Sequence, residues 1–127
     1  MCPVNGRKRH ELMSGPAIDL VAARFRILGE PLRIRLIQAL HDGEKSVSEL
    51  VAEVGSTQPN VSKHLRILQE SGIVGRRQEG NLVYCFIADD SVFALCDAVC
   101  SSVGARLSRD AKIGAELSRG MTARRRG

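Results

Sequence analysis

Cys96 and Cys100 stand four residues apart, a spacing that puts two side chains on one helix face with Cβ atoms roughly 5–6 Å apart. Two thiols so placed can chelate a soft ion, which thiolates select over hard ones. Trivalent arsenic or antimony asks for three sulfurs in a pyramid. Cys2, or a thiol from a second copy of the chain, is the candidate for the third. The same residues admit a plainer reading. Val92, Cys96, Val99 and Val103 form one apolar stripe, and cysteine is a common small core residue. Cys85 alternates with Val83 and Ile87 and reads as packing.

A second chemistry lies upstream. On a helical wheel begun at Thr57, Val61, His64, Leu65 and Leu68 share one face, and Gln58, Pro59, Ser62, Lys63 and Arg66 share the other. Gln can bond adenine in bidentate fashion, and Ser lets a helix approach closely. Lys63 and Arg66 suit phosphates or guanine. Asn60 lies between the faces near the helix start, where base contact is usually made. Arg76 and Arg77 precede Gly80-Asn81 and would straddle the neighbouring backbone. These residues predict contact with double-stranded DNA. Any solvated amphipathic helix has one charged face. Two adjacent capped helices followed by a basic hairpin separate this chain from that case. His64 faces inward and reads as a packed, hydrogen-bonded histidine.

The elements that must hold these residues follow from caps and periodicity. Residues 1–16 carry Pro3, Gly6, Gly15 and Pro16 and read as a loose arm. Ile18, Val21, Ala22, Phe25 and Leu28 recur at helical spacing over 17–28, and Gly29 ends that helix. Pro31 opens the next helix, 31–41, with Leu32, Ile34, Leu36, Ile37 and Leu40 as its stripe. Ser46 and Glu49 form a capping box for a helix over 47–53. Thr57 caps the following one, which Gly72 stops near residue 71. Residues 73–79 and 82–87 are two strands turned at Gly80-Asn81. A last helix of about 18 residues begins at Asp89-Asp90-Ser91, its acidic start favoured by the helix dipole. Past Ser108, Gly and Arg accumulate and helical order becomes doubtful.

The chain has 127 residues, enough for one domain. With no Trp and only 3% aromatics, its core must be built from Leu, Ile, Val and Ala. The net charge of +5 sits at the ends, because the middle holds ten basic against eleven acidic residues. Basic tails add salt-dependent attraction to phosphates, or simply solubilise. No apolar run approaches the roughly 20 residues of a membrane span, and the start does not read as a signal peptide. A cytoplasmic protein with reduced thiols is expected. No Gly-rich phosphate loop, paired carboxylates or Cys–His arrangement suggests an enzyme.

Residues 17–106, about 70% of the chain, resemble the ArsR/SmtB family of bacterial winged-helix repressors. The matching runs are Leu28-Gly-Glu-Pro-Leu-Arg-Ile-Arg-Leu-Ile-Gln-Ala-Leu, Gln58-Pro-Asn-Val-Ser-Lys-His-Leu-Arg-Ile-Leu-Gln-Glu-Ser-Gly-Ile-Val and Glu79-Gly-Asn-Leu-Val-Tyr-Cys. The resemblance implies a homodimer through the first and last helices, a palindromic operator, and release of that operator by an inducer. Two family sites do not fit. One needs cysteines in the helix before the recognition helix, where Ser48-Glu-Leu-Val-Ala-Glu-Val has none. The zinc- or nickel-type site needs Asp and His on the last helix, yet the histidines are His10, His41 and His64. A third branch links a second-helix cysteine to one in the last helix, and Leu32 to Leu40 contains none.

The expected fold is therefore mainly α with a small β-hairpin, a winged helix-turn-helix of order α-α-α-α-β-β-α. Residues 1–16 form the flexible arm, 17–108 the DNA-binding and dimerisation domain, and 109–127 a basic C-terminal tail. The expected function is a repressor released when arsenite, or Sb(III), Cd, Pb or Hg, binds Cys96, Cys100 and Cys2. No cofactor is obligatory. The alternative is a thiol-based redox or persulfide sensor of the same fold.

Overall fold

Each of the first four helices begins on a side-chain cap. The computed structural model describes residues 12–107 and 111–121. Ser14 Oγ accepts the Ala17 amide at 3.2 Å and starts α1 (Gly15–Leu28), with Pro16 in the first turn. This helix opens two residues earlier than its apolar periodicity suggests, because the cap lies outside the periodic stretch. The Glu30 carboxylate accepts the Leu32 amide at 2.7 Å and starts α2 (Pro31–Ala39), which tightens into a 3-10 turn over Leu40–Asp42. Ser46 and Glu49 make the expected capping box of α3 (Val47–Val54). Thr57 Oγ1 accepts the Asn60 amide at the head of α4 (Gln58–Glu70). Gly55 turns the chain between α3 and α4 in the left-handed region, at φ 69°. A residue with a Cβ is strained there.

The wing is a three-stranded antiparallel sheet of order β1-β3-β2. β2 (Val74–Glu79) and β3 (Leu82–Ile87) pair along their full length, with Gly75 opposite Phe86 and Arg77 opposite Tyr84. Gly80 takes the positive φ of the hairpin tip, at 62°. β1 (Lys45–Ser46) covers the other edge of β3. It was not expected, since two residues carry no periodicity and Ser46 already serves as a cap.

The core lies where α2, α3 and α4 meet the base of the sheet. Leu36, Ile37, Leu50, Val61, Leu68, Ile73 and Cys85 are fully buried there, with no aromatic ring among them. Truncating such a leucine to alanine costs about 2–5 kcal/mol. Arg24 ties α1 to the end of α4 by donating to the Ser71 carbonyl at 2.8 Å.

α5 (Ser91–Arg106) starts where the Asp89 carboxylate accepts from both the amide and the hydroxyl of Ser91. Its apolar stripe runs outward. Val92 is buried and Cys96 half-buried, while Val99 and Val103 are exposed. On α1, Ile18, Val21 and Phe25 are also exposed, and only Leu28 of the expected stripe is buried.

The segment expected as a basic tail contains a sixth helix, α6 (Ala111–Arg119). It folds back on α5 through glycines. A Cβ on Gly104 would lie 3.2 Å from Leu117 Cβ, and one on Gly114 would lie 3.0 Å from the Leu107 carbonyl oxygen. The Met121 amide donates to Asp97 Oδ1 at 2.9 Å, and the Met121 side chain is buried. Glycine content argued against a helix here, but these glycines serve close helix contact. Among the described residues no helix is long and apolar enough to cross a membrane.

Candidate nucleic-acid interface and thiol pocket

Val61, His64, Leu65 and Leu68 are buried as the wheel predicted, and they fix which side of α4 faces out. Gln58, Ser62 and Arg66 then line one groove with Arg76 of β2 and Asn81 of the hairpin tip. The groove holds about 390 Å³, and no Asp or Glu lines it. Pro59 and Lys63 are exposed on the same helix outside this lining. Asn60 is half-buried, and its side-chain Nδ2 donates to Ser56 Oγ at 3.0 Å. It braces the turn into α4.

Arg77 is placed differently from Arg76. Its guanidinium donates to both Glu44 oxygens, at 2.6 and 3.1 Å, and to Glu79 at 2.9 Å. It also lies over the Tyr84 ring, 4.8 Å from the centroid. Arg77 holds the Glu44 carboxyl below its usual range. Two carboxylates thus surround the charge that was expected to reach for phosphate. Glu44 lies 33 residues away in sequence, so nothing local announces the pairing.

His64 is buried, and Arg33 of α2 sits 3.0 Å from its Nδ1. Arginine has only donors, so this nitrogen is the acceptor. Burial first, and then the Arg33 charge, push the histidine below its ordinary value. Arg33 Nε also donates to the Ile27 carbonyl at 2.6 Å. One side chain therefore joins the α1–α2 corner to the recognition helix.

Cys96 and Cys100 open together onto a cavity of about 340 Å³ between α1, α2 and α5. Its remaining walls include Phe25, Leu28, Ile34, Leu95, Val99 and Met121, and no charged side chain lines it. Burial, the neighbouring Cys100 and Asp97 all push the Cys96 thiol up. Cys85 is fully buried in β3 and away from this pocket, with Gln69 Nε2 3.9 Å from its sulfur. Among the described residues no three His, Cys, Asp or Glu side chains are grouped to hold a metal ion. Cys2 lies outside the described residues.

A family model described as "Bacterial regulatory protein, arsR family" matches residues 30–75, from the cap of α2 to the start of the wing. HTH-type transcriptional regulator Rv0081 of Mycobacterium tuberculosis is 36% identical over 99 residues, covering 76% of this chain and 85% of that protein. The chain belongs to the arsR family. The crystal structure of Rv0081 superposes with a TM-score of 0.65 over 76% of this chain and 97% of that one. The solution structure of the homodimeric winged helix-turn-helix domain of Mb0332 from Mycobacterium bovis is 26% identical, with the same TM-score, covering 76% and 95%. A probable mercury resistance operon repressor of Streptomyces lividans is 36% identical over 74 residues, 58% of this chain and 59% of that protein. This arsR-family chain is a winged helix-turn-helix transcriptional regulator, and not an enzyme.

Proposed function

We propose that this regulator is a homodimeric repressor that binds operator DNA through α4 and the wing, and leaves it when a thiophilic metal or metalloid occupies Cys96 and Cys100. The observation that carries the DNA half is the carboxylate-free groove shared by Gln58, Ser62, Arg66 and Arg76. Side chains of those types meet base edges and phosphates. Pro59, Asn60 and Lys63 extend the contact along α4. Arg77 sets the wing against Glu44 and contributes less. The exposed apolar residues of α1 and α5 suit a partner copy, and the likeness to the Mb0332 domain, which is homodimeric, supports that reading.

The inducer half rests on two thiols one helical turn apart, opening into one pocket. Arsenite is the leading inducer within a class that includes Sb(III), Cd, Pb and Hg, with Cys2 as a third ligand. The likeness to a probable mercury resistance repressor supports a thiophilic class. The protein acts in the cytoplasm, where its thiols stay reduced.

Fluorescence anisotropy with a duplex from the upstream region tests both halves. Lys63→Ala with Arg66→Ala should weaken binding and flatten its salt dependence. Arsenite or cadmium should release wild type but not Cys96→Ser with Cys100→Ser. Release by a persulfide donor alone, reversed by reductant, would replace the metalloid with a redox switch.

A further inference from the structure

We propose that this regulator has a second effector site, which takes a small zwitterion of the α-amino acid type. The site is a polar cleft of about 460 Å³ between the end of α2, the end of α3 and Met121. It contains no cysteine and no residue of the groove beside α4.

His41 marks the cleft as a built site. Its side chain is only 6% exposed, yet it lines the cleft. The ring packs edge-on against Phe93 of α5, with centroids 4.4 Å apart. Its Nδ1 lies 4.0 Å from Asp42 Oδ1, beyond hydrogen-bond reach. Among the described residues the imidazole has no hydrogen-bond partner. No fully buried side-chain nitrogen or oxygen among them lacks a partner either. The unbonded ring nitrogens are therefore within reach of the cleft, where a ligand's polar group can meet them.

Charges of both signs line the same space. Arg35 of α2 makes no ion pair among the described residues. Asp42 is exposed, and Glu53 already accepts from Lys45 Nζ at 2.6 Å. A ligand with negative charge alone would sit against Asp42 and Glu53, and one with positive charge alone against Arg35. A carboxylate and an ammonium on one small molecule answer both. The carboxylate accepts two N–H bonds from the Arg35 guanidinium, and the ammonium faces Asp42. Ala39, Val54 and Met121 give its carbon body an apolar wall. A bare metal ion does not suit the cleft, since among the described residues no three His, Cys, Asp or Glu side chains are grouped to hold one.

The position gives an occupant leverage on DNA binding. Glu53 and Val54 end α3, directly before Gly55 turns the chain into α4. Arg35 lies on α2, and Asp42 in the 3-10 turn that follows it. A ligand filling the cleft rests on both helices and so bears on the helix-turn-helix corner. The buried Met121 side chain is also a wall of the cavity at Cys96 and Cys100. Filling one chamber therefore presses on the other, and such coupling is reciprocal.

The test screens the proteinogenic L-α-amino acids, each alone at millimolar concentration, by thermal denaturation of the full chain. At about ten times its Kd, a ligand should raise Tm by about 3–6 °C. Titration calorimetry should then give one site per chain, and anisotropy should show operator affinity changed by about fivefold or more. Capping either charge, in the N-acetyl derivative or the amide, should abolish the response. Arg35→Gln and Asp42→Asn, both at exposed positions, should keep the ordinary Tm and lose the response too. Cys96→Ser with Cys100→Ser should still bind, which separates this site from the thiol inducer site. A screen in which no amino acid raises Tm overturns the proposal, and so does binding that survives either cap or either variant. Binding that leaves operator affinity unchanged overturns the effector role.

Discussion

The Arg33 guanidinium of α2 donates to Nδ1 of His64 in the recognition helix across 3.0 Å. The bond needs a neutral imidazole, because a protonated Nδ1 has no lone pair to offer and would face a second cation. Burial and Arg33 lower the folded-state value of His64 below the ordinary 6.5. Below that value the unfolded chain binds a proton that the folded chain refuses. The stability contribution is thus complete above about pH 6.5 and is lost as pH falls through the lowered folded value. Urea denaturation between pH 8 and pH 5 should show declining stability in wild type and a flatter profile in His64→Gln. Arg33→Ala leaves the His64 and Ile27 acceptors short of a donor and should cost about 1–3 kcal/mol at pH 8. An unchanged midpoint in that variant would remove the tie from the account.

Arg76 and Arg77 are neighbours in sequence with different electrostatic surroundings. Arg76 lines the groove beside α4, and Arg77 is held between Glu44 and Glu79. Arg76→Ala should reduce the slope of log affinity against log salt by roughly one, as loss of a phosphate contact does. Arg77→Ala should change the slope by less. It should lower stability only slightly, since exposed ion pairs are worth roughly 0–1 kcal/mol. Equal slope losses would place Arg77 on the DNA after all.

The described thiols should react in an order set by burial. Cys85 is fully enclosed and its thiol is pushed up by desolvation, so iodoacetamide should reach it only on unfolding. Cys96 is half-buried with a raised thiol value. Its alkylation rate should therefore still be rising with pH where that of an ordinary thiol has levelled off. Peptide mapping after timed quenching reads both rates. Modification of Cys85 in the native protein at the Cys96 rate would contradict this packing of β3.

Gly104 lies at a point of close approach between α5 and α6. A side chain there would press on Leu117 Cβ and on the Ser118 amide, neither of which can swing aside. Gly104→Val should weaken that contact by about 1–3 kcal/mol, the usual range for overpacking. Hydrogen exchange should quicken in α6 while α3 and α4 keep their protection. Protection of α6 equal to wild type would show that the helices need not approach so closely.

What was legible in the sequence was whatever is encoded locally. Ser46 with Glu49, Thr57 before Pro59, and the Val61-His64-Leu65-Leu68 face are short-range patterns, and they place α3, α4 and the outward face of the recognition helix. The Cys96–Cys100 spacing likewise announced a shared face, which the cavity displays. Features made by distant partners left no such mark. Glu44 beside Arg77, Arg33 against His64, and the pairing of β1 with β3 join residues far apart in the chain. Helix α6 was concealed for another reason. Glycine lowers helix propensity by roughly 1 kcal/mol relative to alanine, so Gly114 reads as a breaker when it is in fact a contact. The exposed side of α1 was hidden too, since periodicity identifies an apolar face but not whether it is buried within one chain.

The fold-back of α6 divides the circumference of α5 into three sides. Val92 turns to the core, Gly104 meets α6, and Val99 with Val103 remains uncovered. A chain cut after Leu107 would strip the cover from Gly104 and remove Met121 from the wall of the thiol pocket. Such a truncation would present a second smooth helical surface beside the first. The uncut chain would offer a partner one seam on α5, and the shortened one would offer two, inviting alternative registers of association.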